Sequence, residues 1–594
     1  MSGGGDAQGL ARVSEIWQPP LRARWTDGPI ARAVDANLKG RLSTFIRDRE
    51  SEPLAFFSAE WRAGETSGDW YGEHAGKWLL AACAAFVRTG SPEIGRAIEE
   101  AVAALLKDQE PNGYLGTYAS DSSSRFTDPH ASGARTWDLW THAWTILGLL
   151  EVGRVREDDA PIAAARRAGD LILASFPEGE RSVLDLGNHA GLSSAVLIEP
   201  LARLTLATGE PLYAAFARRI VAEMEARGLR VLSDAGGDPA TMGTGKIYQF
   251  LWVLLGLTAL YRVTGEEALL EATEDWAHAI AAFHLNPLGG PWGGLGGHKE
   301  VFAARGAFDP GGLVETCSTA TWMALNRELA LLTEDVRAID RFERAFLNAL
   351  LGAALANGED WSYFTFANGR RTATYHWACC KSSGAMALET SALGMMSSRG
   401  NEIRIEVPLP GEATFLVDGR EVTVVQEWTD RGERLTVRTA APIALTLRLR
   451  VPYWARVAGG GTGESSGILE IAREFADGES IEIPWTVPLR VEPFTHSVDH
   501  HGQEVVRDDW AYVARGPWVY ATGLLEGYRR QETLRLPRLD PSSPFRVTEE
   551  SGEFGPKIEL RLPTRTPIGF WPYAEAGGRT EGGWRGTWLG IAWQ

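Results

Sequence analysis

Cysteine is scarce in this chain, with four in 594 residues. So sparse a set does not make a disulfide framework, and core packing has to hold the fold together. Basic residues are outnumbered, 59 Lys and Arg against 77 Asp and Glu, for a formal net charge of −18. That balance repels phosphate backbones and anionic lipid surfaces, which argues against nucleic acid and membrane partners. The amino terminus, Met-Ser-Gly-Gly-Gly-Asp, lacks a basic segment followed by an apolar run, and no apolar stretch reads as long enough to cross a bilayer. These absences lead to the expectation of a soluble, cytoplasmic protein. Its length allows a large principal domain and one or two smaller ones.

Tryptophan, by contrast, is abundant: 23 Trp against 13 Tyr. Indole faces can stack on sugars, but a large protein also uses them simply to fill its core. A repeat then organises the first two thirds of the chain. Helical segments end at Gly90, Gly153, Gly209 and Gly265, spaced 56 to 63 residues apart, and each is followed at once by another helical segment. Glycine just past a helix supplies the left-handed turn between antiparallel partners. Phe250, Leu254, Leu257 and Tyr261 form one apolar stripe, and Ile339, Phe342, Phe346 and Leu350 form another. The spacing predicts helix pairs over 75–107, 136–175, 191–227, 245–283 and 316–355, with single helices near 31–49 and 385–397. Twelve helices in alternating inner and outer rings make an (α/α)6 barrel.

After Arg399 the texture changes to alternating runs such as Leu445 to Val451, and Gly459 to Gly467 is a Gly/Ser/Thr-rich loop. The expected organisation is an (α/α)6-barrel catalytic domain over 1–398, a β-sandwich over 399–500 and a second β module over 501–594. The β modules are also where a homodimer contact would be sought.

In a barrel of repeated hairpins the first helices all open on one face. Glu73 and His74, His142, His189, Lys246 and Tyr248, Glu315 and Cys317, and Cys379 and Cys380 all fall at such helix starts. Helix amino ends favour carboxylates, thiolates and sugar hydroxyls. Singly, a histidine there is as well explained as a cap, and Cys83, in Ala81-Ala82-Cys83-Ala84, reads as core packing. The stretch from Gly294 to Lys381 is different, because it holds three of the four cysteines together with Glu300 and Glu315. Adjacent cysteines bridge each other only with strain, whereas three thiolates and a carboxylate complete a tetrahedral zinc shell.

Gly113-Tyr114-Leu115-Gly116-Thr117-Tyr118, Trp137-Asp138-Leu139-Trp140-Thr141-His142, Glu315-Thr316-Cys317, Cys379-Cys380 and Arg515-Gly516-Pro517-Trp518-Val519-Tyr520 occur in this order. As a set, from about residue 60 to 525, they resemble glycoside hydrolase family 127, the β-L-arabinofuranosidase-like enzymes. The resemblance implies an (α/α)6 barrel with β-sandwich modules and an oligosaccharide or glycoside substrate. It implies zinc held by Glu315, Cys317, Cys379 and Cys380, and a retaining mechanism with Cys379 as nucleophile and Glu300 as acid/base. His142 and His189 are similar to positions that bind the sugar, and Glu73, His74, Lys246 and Tyr248 join them as candidate substrate contacts. Two places depart from the family pattern: Gly245-Lys246-Ile247-Tyr248-Gln249, where a histidine is expected, and Lys381-Ser382-Ser383-Gly384 after the cysteine pair.

Two other readings stay open on sequence. An (α/α)6 hydrolase or lyase could use Glu300 and Glu73 as paired carboxylates with zinc as a structural ion. A sugar-binding module with a structural zinc clasp is the non-enzymatic alternative.

Overall fold

Helices buried on all sides alternate along the chain with helices buried on one side only. The computed structural model describes residues 16–47, 52–64, 69–131, 136–294, 300–429, 432–457, 467–523, 534–536, 545–562 and 566–591. Within it α1 (Glu73–Thr89), α3 (Asp138–Arg156), α7 (Ile247–Thr264) and α9 (Thr316–Leu332) bury most of their circumference. Their partners α2 (Pro92–Asp108), α4 (Asp159–Ser175), α6 (Pro211–Ala226) and α8 (Glu267–Phe283) bury a single stripe, such as Ile94, Ile98, Ala101 and Leu105 on α2. An all-round apolar helix needs neighbours on every side and an amphipathic one needs a neighbour on one side. That alternation of inner and outer helices is the (α/α)6 barrel the repeat predicts.

The pairs fall close to their expected bounds. The third also contains α5 (Ile198–Thr208), and the fifth runs from α9 into α10 (Val336–Arg344). The closing helix is α11 (Cys379–Thr390), which begins six residues earlier than expected. Gly90, Gly209 and Gly265 adopt left-handed φ values of 64°, 73° and 67°, and each caps the preceding helix through its own N–H. Gly153 does not. α3 continues to Arg156, and Glu157 takes the left-handed turn at φ 51°. Gly153 instead permits a close approach, since a Cβ there would come within 2.4 Å of Ile162 Cγ1.

α7 corrects the expectation about apolar runs. Its 18 residues, at mean hydropathy 1.3, are long and apolar enough to cross a membrane, and 78% of that window is buried inside the protein. It is an inner barrel helix, which is apolar because it is packed all round. The tryptophans serve the same packing: Trp140, Trp252, Trp276, Trp322 and Trp361 are all fully buried.

The chain divides into two compact units. The first takes residues 38–282, with α1 to α8, and 377–389, which is nearly all of α11. The second takes 14–37, 283–376 and 390–594, with α9, α10 and the sheets. Its six-stranded sheet runs Arg22–Trp25, Gly411–Val417, Arg420–Thr429, Gly432–Thr439, Glu479–Thr486 and Arg456–Val457. The first of these strands comes from the lead-in that the sequence leaves unassigned, and it pairs antiparallel with Gly411–Val417. A four-stranded sheet contains Ile443–Val451, whose inward residues Leu445, Leu447 and Leu449 are buried. A third sheet is built on the hairpin Leu489–His500 and Gln503–Arg515. The Gly-rich loop expected at 459–467 lies, apart from Gly467, outside the described residues.

Candidate active site

Glu315 ends a short strand, Leu313–Glu315, that pairs with Trp292–Gly293 on one side and Phe364–Phe366 on the other. The same residue is the N-cap of α9, so the chain turns from strand to helix at this carboxylate. Thr316 anchors the turn, with its N–H donating to the Tyr363 carbonyl at 3.0 Å and its hydroxyl donating to the Ser362 carbonyl at 2.8 Å. Ser318 Oγ donates to Glu315 Oε2 at 3.1 Å, which aims the carboxylate. One residue into the helix, Cys317 is fully buried.

Cys379 and Cys380 open α11, the first partly exposed and the second buried. One ligand atom from each of Glu315, Cys317, Cys379 and Cys380 lies within 4.8 Å of the other three. Tetrahedral zinc, with Zn–S near 2.3 Å, spaces its donors roughly 3.5 to 4 Å apart, inside that limit. The donor set itself calls for a cation: three thiols and a carboxylate largely out of water must otherwise keep their protons, because four anions so close repel. The residues present therefore fit zinc. Cys83, by contrast, is buried on the apolar side of α1, and burial pushes its thiol well up. It packs, as expected.

Glu300 follows a Gly-rich stretch, 295–299, that lies outside the described residues. Tyr363 Oη donates to Glu300 Oε1 at 2.6 Å and fixes the orientation of the carboxyl group. Tyr363 carries no signal in the sequence, since its partner lies 63 residues away.

Glu73 is the first residue of α1. Lys77, one turn on, holds its Oε1 at 3.0 Å, and Trp140 Nε1 donates to its other oxygen. Burial raises its pKa from 4.5 to about 7; Lys77 opposes the rise and the nearby charge of Cys379 adds to it. Lys77 also lies over the rings of Trp144 and Tyr248, 5.0 and 5.3 Å from their centroids. Lys77 was legible in principle, because it stands four residues after Glu73 on a helix.

The candidate histidines separate into two kinds. Both ring nitrogens of His142 are engaged by backbone: Nδ1 donates to the Asp138 carbonyl at 2.9 Å and Nε2 accepts the Leu115 N–H at 3.0 Å. Tyr114 Oη donates to Asp138 Oδ1 at 2.8 Å, and Oδ2 accepts the Phe126 N–H at 3.0 Å. The Gly113–Tyr118 and Trp137–His142 motifs thus bind each other, and His142 has no ring nitrogen left for a sugar. A Cβ on Gly116 would come within 2.6 Å of His142 Cε1, so that loop must carry glycine there. His74 is likewise buried and engaged, with Nδ1 2.8 Å from Ser382 Oγ and Nε2 3.2 Å from the Trp377 carbonyl. Burial, followed by the charges of Arg41 and Lys77, keeps its ring neutral.

His189 is only partly buried. Its φ of 58° begins three consecutive left-handed residues, His189, Ala190 and Gly191, and its Nδ1 lies 3.2 Å from Thr244 Oγ1. Lys246 is the N-cap of α7 and is buried. Tyr248 is buried beside Trp140, with ring centroids 5.2 Å apart.

The structure thus joins an α/α barrel and a C-terminal β domain with a thiol and carboxylate cluster at helix starts. The model of the β-L-arabinofuranosidase GH127 catalytic domain matches residues 31–392. The chain belongs to that family and is a glycoside hydrolase with a carbohydrate substrate. Its fold is similar to that of a GH127 β-L-arabinofuranosidase from Geobacillus stearothermophilus T6, at 18% identity and a TM-score of 0.76, over 96% of this chain and all of that one. A second GH127 β-arabinofuranosidase matches at 16% identity and a TM-score of 0.76, over 97% of this chain and 98% of that one. A solved glycoside hydrolase matches at 16% identity and a TM-score of 0.73, over 98% and 99%. No curated protein matches the sequence.

Proposed function

We propose that the protein is a zinc-dependent retaining exo-glycoside hydrolase that releases a terminal sugar, β-L-arabinofuranose or a close relative. Cys379 is its nucleophile and Glu300 its acid/base. The observation that carries this reading is the mutual approach of Glu315, Cys317, Cys379 and Cys380 to within 4.8 Å. When bound, zinc keeps these sulfurs deprotonated at neutral pH. Of the three cysteines in the cluster only Cys379 is partly exposed, which makes it the sulfur a substrate can reach.

In the first step Cys379 Sγ attacks the anomeric carbon while the bond to the leaving oxygen breaks, and the Glu300 carboxyl gives that oxygen its proton. In the second the Glu300 carboxylate takes a proton from water. The water oxygen attacks the anomeric carbon, the C–S bond breaks and the thiolate is restored. Two inversions give net retention. Tyr363 holds one Glu300 oxygen through both steps. Glu73 is locked between Lys77 and Trp140, and in this mechanism it holds those two side chains and takes no part in either proton transfer. Unbridged thiols suit a reducing compartment, and a cytoplasmic site of action is part of this proposal.

Nitrophenyl glycosides of both furanoses and pyranoses, assayed with and without a zinc chelator, test the reading. Turnover that chelation abolishes and zinc restores is the expected outcome. Cys379→Ser should have no turnover above background, and a fully active variant would sink the mechanism. Glu300→Gln should fold normally and lose about 10²- to 10⁴-fold in rate on poor leaving groups, with less effect on nitrophenol.

A further inference from the structure

We infer that His74 is a positioning residue for the Cys379-Cys380 pair, an inference that rests on the reading of those cysteines as the reactive and ligating thiols. The imidazole reaches both sides of the pair. Its Nε2 lies 3.2 Å from the carbonyl of Trp377, two residues before Cys379, and its Nδ1 lies 2.8 Å from Ser382 Oγ, two residues after Cys380. A carbonyl oxygen can only accept, so Nε2 carries the hydrogen, Nδ1 is the acceptor, and the Ser382 hydroxyl donates to it. Ser382 Oγ then accepts from the Arg41 guanidinium at 3.4 Å. Each group in the chain Arg41, Ser382, His74, Trp377 has a complementary partner.

The two ends of the clamp are themselves fixed. The Trp377 ring packs among Phe45, Phe56, Tyr71 and His74, with centroid separations of 5.5, 4.8, 5.7 and 5.3 Å. Arg41 lies over Phe45, 3.6 Å from the ring centre. His74 is itself the second residue of α1, so its backbone belongs to an inner barrel helix. A slide of the start of α11 along its axis would break both imidazole hydrogen bonds at once. The cysteine pair is thereby held in register by hydrogen bonds to the residues on either side of it. Groups outside a ligand set that fix its orientation are commonly worth 10- to 100-fold in metal affinity. This assignment replaces sugar contact for His74, because a sugar hydroxyl would have to displace one of two buried hydrogen bonds.

The test compares full-length wild type with His74→Ala, His74→Gln and Ser382→Ala, each checked for folding by circular dichroism. Cobalt(II) is titrated into metal-free protein and read by its thiolate-to-cobalt absorption. The expected result is a roughly 10- to 100-fold loss of cobalt affinity with an altered thiolate band in His74→Ala. A smaller loss is expected in Ser382→Ala, with partial recovery in His74→Gln, which keeps a donor for the Trp377 carbonyl. If His74→Ala does not fold, Ser382→Ala decides by the same reading. Wild-type cobalt affinity and spectrum in folded variants, with KM raised and kcat kept, would overturn the inference and return His74 to the substrate. Should wild type itself bind no cobalt through its thiols, the metal reading fails separately. The clamp is then judged by the rate at which iodoacetamide alkylates Cys379, which it predicts to differ between wild type and His74→Ala; equal rates overturn it.

Discussion

At the residue scale, the charged groups that matter are those that lost water without gaining full partnership. Glu433 is the clearest case outside the active site. It is buried on the strand Gly432–Thr439, opposite Trp428 and Ile483, and neither carboxyl oxygen has a hydrogen-bond partner among the described residues. Burial raises its pKa from 4.5 to about 8, and Arg450 only partly opposes the rise. The folded chain keeps this proton up to about pH 8, whereas the unfolded chain releases it near 4.5. The stabilising contribution of proton binding is therefore fully present below about pH 4.5 and is lost as the pH rises through 8, a change of a few kcal/mol at most in order of magnitude. Glu433→Gln removes the titration, so its urea midpoint should fall less than that of wild type between pH 6 and pH 9. Equal falls would count against a buried neutral acid. His142 gives a second residue-scale prediction: His142→Ala leaves the Leu115 N–H without its buried acceptor. It should cost about 1 to 3 kcal/mol in unfolding free energy. Sequence placed both His142 and His74 at helix starts, but nothing in the sequence could say that backbone had already claimed their nitrogens.

At the element scale, the helical hairpins were legible because helix periodicity and glycine caps are local properties of the chain. What the sequence could not reveal is how closely helices approach. α1 and α3 meet where Gly76 faces Trp144 and Gly148 faces Gly76; a Cβ on Gly76 would lie 2.1 Å from the Trp144 carbonyl oxygen. Gly76→Ala should therefore force the two helices apart and cost about 1 to 3 kcal/mol or more by overpacking, measurable as a lower thermal midpoint. Because Glu73, His74 and Lys77 flank that glycine, the same variant should also lower activity. The turn misread at Gly153 has the same origin, since a glycine demanded by tertiary contact with Ile162 looks in sequence like a glycine demanded by a turn. The strand Arg22–Trp25 escaped notice because four residues next to a proline-rich lead-in carry too little alternation to declare themselves.

At the scale of the whole molecule, the zinc proposed for the thiol and carboxylate cluster is the group whose removal should be felt most widely. A ligand that binds only the folded state adds its binding free energy to stability, so chelation should lower the thermal midpoint as well as abolish turnover, and added zinc should restore both. A midpoint that chelator leaves unchanged would disconnect the cluster from stability. A purely internal contribution comes from Arg450, whose guanidinium joins Asp340 and Glu343 of α10, while Trp454 Nε1 donates to Glu343 at 2.7 Å. Removing the cation by Arg450→Met takes the opposing charge from the buried Glu343 carboxylate and should cost about 3 to 5 kcal/mol. Sequence by itself determined the helical repeat, the change to strands after Arg399 and which rare residues form the cluster, because those follow from local spacing and from residue chemistry. Only the tertiary structure decided that Cys317 and Cys379 stand within 4.8 Å of each other, and that His74 and His142 spend their nitrogens on the protein itself. The physical reason is that a side chain's hydrogen-bond partner is chosen by whatever the fold brings within about 3 Å of it, and sequence separation does not enter that choice.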